Sequence, residues 1–420
     1  AYSITDSAIV GHYVGTEAFA AISSAGYIIS IVITFLVGVS TGTGIVVSHF
    51  FGAKDTDSIC KAIKTTVTLS VVAGVALTLI GIYISPAIVK LTKTPADVVP
   101  YSIPYIKIYF IGTVPLLIYN LGSGVLRACG DSKSPLFILI VSSVLNISLD
   151  LLFVVFLRFG VQGAAWATVM SQGFSAALVL GLLLLKNPSL SVHFDKSIIN
   201  LAILKKILSV GIPIGFQSAI GIVAHLIMNT KTNELGTSAI ASVNAVGKIN
   251  NLAWLSVTAI GIATVTFVGQ NVGARKMERV KGCITTSLWV AMGYSVFMSF
   301  IVYIFRSQLI GLFIIDRFAV EMSISVLVLI APFYFVFAAA NTYTSAITGM
   351  GNTFVPMMIN MISYCFLRVV IILLIMPIWP DVRVVALCYP ISWVVAFAAG
   401  YLYYSTKTTR LINCASPLTI

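Results

Sequence analysis

Residues 15–26 read GTEAFAAISSAG and residues 236–247 read GTSAIASVNAVG. The interval between Gly15 and Gly236, called the repeat interval below, also separates Pro135 from Pro356. Chance does not readily explain several sequence matches at the same interval. The chain is therefore predicted to consist of two related halves, joined without an insertion.

The composition indicates that both halves lie in a membrane. The chain is 59% hydrophobic and 9% charged, whereas soluble domains average about 25% charged residues. Continuous apolar stretches recur along the chain, and in lipid only helices or closed barrels satisfy the backbone. We predict an all-α membrane protein with twelve transmembrane helices in two six-helix lobes, related by pseudo-twofold symmetry. The predicted spans are 1–13, 17–51, 58–89, 97–128, 132–158, 160–186, 204–233, 238–272, 280–305, 320–349, 353–379 and 382–405.

One stretch near the middle of the chain has a soluble character and is predicted to separate the lobes. The expected organisation is an N-terminal lobe at 1–190, a cytoplasmic linker at 191–203, a C-terminal lobe at 204–410 and a tail at 411–420. The first span is short beside its counterpart in the second half. Helix 1 is therefore expected to be incomplete in this sequence.

The net charge of +12 raises the question of nucleic acid as a partner. The basic residues, however, concentrate near the even-numbered connections and the C-terminus. By the positive-inside rule these regions are cytoplasmic. The expected location is the inner or plasma membrane, with lipid around the chain and no nucleic-acid partner. The six cysteines and four histidines show no CxxC or HExxH spacing, so no metal centre, cofactor or enzymatic activity is predicted.

Two carboxylates, Asp6 and Asp150, lie inside predicted spans, where a charged group is costly and indicates function. Asn146 precedes Asp150 by four residues and shares its helix face. Thr168 lies across the helical hairpin at a similar depth, roughly 13 Å from its outer end. These oxygen groups are predicted to hold a small cation or a proton. Alternatively, Asn146 and Thr168 merely form interhelical hydrogen bonds.

The second half lacks this set of residues, so the cation site is predicted to exist once. It instead embeds two cations, Lys248 and Arg368, which are candidates for lining a cleft. Alternatively, Arg368 pairs with a carbonyl and Lys248 snorkels to the interface. One repeat interval beyond the four site residues stand Ile227, Leu367, Ile371 and Tyr389.

Glycine-rich segments near the ends of helices 2 and 8 could be mistaken for phosphate-binding loops. No GKS or GKT follows them, and no strand precedes them. Gly38, Gly42 and the other glycines there are predicted to permit close helix packing instead.

Several motifs, in order, resemble the multidrug and toxic compound extrusion (MATE) family. They are TDSAIVGHYVG (5–15), VGVSTGTGIVVSHFFGAKD (37–55), LRACGDSKSP (126–135), NISLD (146–150), GVQGAAWAT (160–168) and VGQNVGA (268–274). The resemblance implies two lobes facing a central cleft and export of organic, often cationic and lipophilic compounds in exchange for Na⁺ or H⁺. It also implies that Asp6, Asn146, Asp150 and Thr168 serve cation coupling. The expected partners are small organic substrates, and the expected state is a monomer.

Two other functions remain open from the sequence. A flippase for lipid-linked oligosaccharide would use Lys248 and Arg368 to bind phosphate. A non-transporting scaffold or receptor would need neither the repeat nor the embedded acids. A channel is disfavoured, because no filter-like segment repeats in both halves.

Overall fold

The computed structural model describes residues 2–91, 94–185, 199–314 and 316–408. Its described residues form helices and contain no strand, which confirms the predicted all-α class. Within these described ranges, ten helices are long and apolar enough to cross a membrane, or eleven if one bent pair forms a single span. The first predicted span is a helix of 12 residues, shorter than the roughly 20 that a crossing needs.

The chain divides into two compact units, residues 1–215 and 216–420. Most of the predicted linker and the whole predicted tail lie outside the described residues, so the predicted lobe boundaries stay a prediction. The first unit contains helices α1 (Tyr2–Tyr13), α2 (Thr16–Gly52), α3 (Thr56–Leu91), α4 (Val99–Ile111), α5 (Thr113–Ala128), α6 (Lys133–Asp150), α7 (Gly160–Leu185) and the first part of α8 (Leu201–Asn233).

The second unit continues from the rest of α8. Its remaining helices are α9 (Thr237–Gly273), α10 (Met277–Ile304), α11 (Arg306–Gly311), α12 (Arg317–Ile330), α13 (Tyr334–Gly349), α14 (Phe354–Asn360), α15 (Leu367–Ile375) and α16 (Val382–Tyr403). A π-helical segment, Met361–Phe366, joins α14 to α15, so these two helices continue one predicted span.

The repeat is visible in the backbone as well as in the sequence. Lys54 has a φ of 58° just after α2 ends, and Arg275 has a φ of 57° just after α9 ends. Gly130 and Gly351 have φ values of 92° and 94°. The members of each pair are separated by the repeat interval. Left-handed residues at matching positions show that the two halves use the same turns. The turn at Gly130 and Gly351 has a φ value that residues other than glycine rarely adopt.

Each half also breaks one long helix at the same point in the repeat. α4 and α5 meet at Gly112 with a bend of 45°, because Pro115 cannot donate a hydrogen bond to the carbonyl of Ile111. In the second half α12 and α13 are joined by a short 3₁₀ turn, Ala331–Phe333, which contains Pro332. The two breaks coincide in the repeat although the two prolines do not.

Close backbone packing in the first unit depends on glycines of α2 and α8. A Cβ added to Gly38 would lie 2.4 Å from the Cα of Gly215. A Cβ added to Gly42 would lie 2.4 Å from the Cα of Gly211. No side chain fits at these two positions, which confirms the predicted packing role of Gly38 and Gly42.

The core of the first unit positions the short helix α1. Val10 on α1 packs with buried residues of α2, α4 and α7, such as Ile22, Tyr105 and Ala164. Val154, in the segment after α6, belongs to the same cluster. This packing places Asp6 of α1 against α6 and α7.

Candidate cation-binding site

The four predicted site residues meet inside the first unit. α1 contributes Asp6, α6 contributes Asn146 and Asp150 one turn apart, and α7 contributes Thr168. Each side chain is at most 1% exposed. The structure therefore brings together residues that are up to 162 positions apart in the chain, and it buries them all.

A short hydrogen-bond chain connects three of these side chains. Thr168 Oγ1 donates to Asp6 Oδ2 at 2.8 Å. Asn146 Nδ2 donates to Thr168 Oγ1 at 3.4 Å. The carboxyl groups of Asp6 and Asp150 lie close enough to interact directly. The fixed positions of Asn146 and Thr168 thus hold the Asp6 carboxylate next to that of Asp150.

The site has more acceptors than donors. The buried oxygens Asp6 Oδ1, Asn146 Oδ1 and both Oδ atoms of Asp150 lack a hydrogen-bond donor among the described residues. No lysine or arginine of the described chain forms an ion pair with either acid. Leaving buried polar atoms unpaired costs about 1–3 kcal/mol each, and more for charged groups. Two adjacent carboxylates in this setting need a positive charge, either a metal cation or a proton.

The atoms that could bind a metal at this site suit a hard cation such as Na⁺ better than a transition metal. It supplies only oxygen atoms, which suit hard cations. Within the described residues, no group of three or more histidine, cysteine, aspartate or glutamate side chains is placed to hold a metal. The two carboxylates, one amide and one hydroxyl offer oxygen ligands from four side chains.

Two tyrosines that the sequence did not single out lie beside the acids. Tyr105 and Tyr109 are on α4, with ring centroids 6.1 Å apart, and both are within the electrostatic reach of Asp6. The side chain of Tyr109 also lies beside that of Gln172 on α7. Their spacing of four residues places the two tyrosines on one helix face. This pattern alone does not indicate a site, because aromatic residues are common on such faces.

The helix that carries Asp150 changes its geometry at the site. α6 ends at Asp150 and continues as a π-helical segment, Leu151–Phe156, where the sequence predicted one regular helix. Single-turn π segments are rare and occur frequently at functional sites. Arg158, with a φ of 57°, then begins the turn into α7. Asp150 therefore sits at the junction of two helical geometries.

The two embedded cations of the second unit lie in different surroundings. The Lys248 ammonium is 5.2 Å from the ring centroid of Phe313. Arg368 donates from Nε to Ser392 Oγ at 2.8 Å, so a side chain, and not the carbonyl considered from the sequence, accepts this bond. A cleft-lining role for these two residues stays a prediction.

These features define a class of protein: a helical membrane transporter with a polar site embedded between its spans. The comparisons with known proteins agree. The MatE family model matches residues 1–152 and 213–374, and the chain belongs to the MATE family of multidrug efflux transporters.

Individual relatives match over most of their length. The "Probable multidrug resistance protein YoeA" of Bacillus subtilis is 26% identical over 96% of this chain and 90% of its own. A protein of Shewanella oneidensis called "FAD transporter" is 25% identical over 78% of this chain and 74% of its own. A crystal structure of "MATE in the bent conformation" superposes with a TM-score of 0.92 at 22% identity, covering 99% and 93% of the two chains. At that identity the structure supports the fold alone.

Proposed function

We propose that this protein is a cation-coupled antiporter that exports organic, often cationic and lipophilic compounds in exchange for Na⁺ or H⁺. The observation that carries the proposal is the set of unpaired buried oxygens of Asp6, Asn146 and Asp150. Family membership supports efflux. The names of the relatives that this chain matches do not agree on one substrate.

The proposed role of the site is to hold one positive charge between Asp6 and Asp150. Na⁺ would take oxygen ligands from both acids, Asn146 and Thr168. A proton would be shared by the two carboxyl groups, because adjacent buried carboxylates cannot both ionise without a large cost. Either ion removes one negative charge and supplies the missing partner of the acceptors.

Coupling requires the ion to bind one conformation more tightly than the other. Asp6 is on a short helix, and Asp150 borders the π-helical segment Leu151–Phe156. We propose that the ion draws α1, α6 and α7 together and so favours a conformation with lower affinity for the drug. Release of the ion to the inside then resets the transporter.

The proposed setting follows the charge distribution. We propose that the chain lies in the cytoplasmic membrane with its C-terminus in the cytoplasm, surrounded by lipid, and that it acts as a monomer on small organic molecules. We propose that it is not an enzyme and needs neither a bound cofactor nor nucleic acid. Labelling of single cysteines introduced at Lys133 and Lys281, which lie at predicted cytoplasmic ends, tests the orientation.

The decisive experiment measures uptake of rhodamine 123 into inverted vesicles, which corresponds to export from the cell, under separately imposed Na⁺ and pH gradients. Asp150→Asn should abolish the response to the coupling gradient, because the amide removes one charge and adds donors. Asp97→Asn, an exposed acid outside the helices, is the matched control and should export normally. Gradient-driven export by Asp150→Asn at the wild-type rate would show that this site does not couple transport.

A flippase for lipid-linked oligosaccharide is the second candidate, and Arg368 favours it. Within the described residues this guanidinium has no carboxylate partner, as a phosphate-binding group would require. Transport stimulated by a lipid-linked sugar, without any response to rhodamine 123, would select this function over drug export.

A further inference from the structure

The second unit contains a cluster of polarity opposite to that of the cation site. Tyr389 stands one repeat interval after Thr168, and Arg368 directly follows the counterpart of Asn146. Where the first unit gathers acceptor oxygens, the corresponding region of the second unit gathers donors. We propose that Arg368 and its aromatic neighbours form an anion-binding site that receives the carboxylate of an aromatic substrate.

The guanidinium group of Arg368 is held in place but not neutralised. Its centre lies 5.1 Å from the ring centroid of Tyr364 and 4.3 Å from that of Tyr389. Nε donates to Ser392 Oγ. Among the described residues no acceptor bonds the two terminal nitrogens, and no carboxylate forms an ion pair with the group. Cation–π contacts do not neutralise the guanidinium, so the half-buried charge still lacks an anionic partner.

The direction of the side chain argues against simple snorkelling. Arg368 lies seven residues, about 10 Å, from the end of α15 at Ile375. Its partner Ser392 lies ten residues, about 15 Å, inside the start of α16 at Val382. The bond to Ser392 therefore points the guanidinium deeper into the helical layer and away from the nearer helix ends.

A second unpaired donor lies beside the same rings. The ring centroid of Trp254 on α9 is 5.8 Å from that of Tyr389. Its buried Nε1–H has no acceptor among the described residues. Trp393 packs edge-on against Trp254 at 5.8 Å. The cluster thus offers unpaired N–H groups next to several flat aromatic faces.

This chemistry selects a carboxylate on a planar ring. The fork of a guanidinium matches the two oxygens of a carboxylate, and an aromatic ring stacks against tryptophan and tyrosine. The inference rests on the proposed transport function and names a substrate class for it: aromatic compounds with an acidic group, including those that also carry a positive charge.

A matched pair of dyes tests the proposal. Rhodamine 110 has a free carboxylate, and rhodamine 123 is its methyl ester on the same ring system. Binding to the purified full chain is measured by fluorescence anisotropy. Arg368→Gln should weaken rhodamine 110 about tenfold to a hundredfold, as expected for a lost charged hydrogen bond, and should change rhodamine 123 by less than about twofold. Arg383→Gln, an exposed arginine at the start of α16, is the control and should change neither dye.

Two variants sharpen the result. Arg368→Lys keeps the charge without the fork and should fall between wild type and Arg368→Gln for rhodamine 110. Tyr389→Phe keeps the ring and should preserve most of the binding of both dyes. An equal loss of both dyes in Arg368→Gln, or no loss of rhodamine 110, would overturn the proposal.

Competition on the wild-type chain keeps the test decisive if Arg368→Gln does not fold. Benzoate should displace rhodamine 110 at lower concentrations than uncharged benzamide does, because only benzoate can bond the guanidinium. Equal displacement by benzoate and benzamide, or no displacement by benzoate, contradicts the site. Export of rhodamine 123 under an ion gradient separates the two failures, since its absence would defeat the transport function and not the anion site alone.

Discussion

Thr168 is the residue that links the parts of the cation site. Its hydroxyl donates to Asp6 and accepts from Asn146, so it fixes one oxygen of Asp6 and leaves the other unpaired. A hydroxyl that both donates and accepts can also turn a lone pair toward a bound cation. The identity of the coupling ion is therefore accessible through this one side chain.

Thr168→Val keeps the shape of the side chain and removes the hydroxyl. If Na⁺ is the ion, its affinity should fall about fivefold to a hundredfold, because one ligand is lost. If H⁺ is the ion, Asp6 loses a donor to its charged form, and the pH midpoint of export should rise. Dye export measured against Na⁺ concentration and against pH distinguishes the two. Thr168→Ser keeps the hydroxyl and should behave as wild type. Unchanged export by Thr168→Val in both assays would show that the Thr168 hydroxyl does not take part in ion binding.

The embedded polar residues of this site could be predicted from the sequence, and its surroundings could not. Asp6 and Asp150 stand out because charges within apolar spans are rare and costly. Tyr105 and Tyr109 give no comparable signal, because aromatic side chains fit an apolar helix whether or not they border a site. The π-helical segment after Asp150 depends on packing between helices, which the local sequence does not encode.

At the scale of helices, the two halves share their turns and differ in their caps. Lys54 and Arg275 adopt the same left-handed conformation, but the next residue differs. Asp55 Oδ1 accepts a hydrogen bond from the backbone N–H of Ser58 at 3.0 Å. Its counterpart Lys276 forms no side-chain cap on α10. The repeat predicts the turn, whereas the cap depends on one residue that the repeat does not preserve.

Asp55→Ala should lower the free energy of unfolding by about 1 kcal/mol, the usual cost of losing a side-chain cap. The bonds from Ser58 lower the pKa of Asp55 below its ordinary value of 3.8. A lowered pKa in the folded state means that this stabilisation is complete above about pH 4 and is lost as the pH falls through the folded value. Thermal unfolding of the two proteins at neutral pH and near pH 3 checks both parts. A difference that persists unchanged at the lower pH would show that the cap is not the cause.

Lys276→Asp makes the reciprocal test in the second half. The substitution introduces a capping carboxylate at the start of α10 after the same kind of turn. It should raise the free energy of unfolding by about 0.5–1 kcal/mol. A lower melting temperature at neutral pH would mean that the two turns, despite their equal φ values, do not present their caps alike.

Glycine contacts between α2 and α8 set the spacing of these helices. Gly42→Ala places a methyl group 2.4 Å from the backbone of Gly211, so one helix must shift. The expected cost is about 1–3 kcal/mol, as for other overpacked cores. Gly173→Ala on α7 meets no atom within 4 Å and should be neutral or slightly stabilising. Melting temperatures in detergent compare the two; equal values would contradict the close approach.

Across the whole molecule, the positions that match between the two halves belong to a shared helical scaffold. The polar positions that differ between the halves belong to the candidate functional sites. The halves share the left-handed turns at Gly130 and Gly351 and a break in one long helix. They differ at the polar positions, where the first unit has Asp150 and the second has Ile371. One duplicated frame thus supports an acidic site in one half and a basic, aromatic cluster in the other.

This asymmetry predicts that the chain binds one coupling cation. With Na⁺ as the ion, the increase in unfolding free energy should follow binding to one site, about 1.4 kcal/mol for each tenfold rise in Na⁺ above its dissociation constant. With H⁺ as the ion, one proton should be taken up per transport cycle. Thermal unfolding across a Na⁺ series with choline as the replacement cation, and proton uptake in vesicles, measure these quantities. Asp150→Asn should abolish the response, and Arg368→Gln, in the other half, should retain it. A slope corresponding to two ions, or a response lost in Arg368→Gln, would show that both halves take part in cation binding.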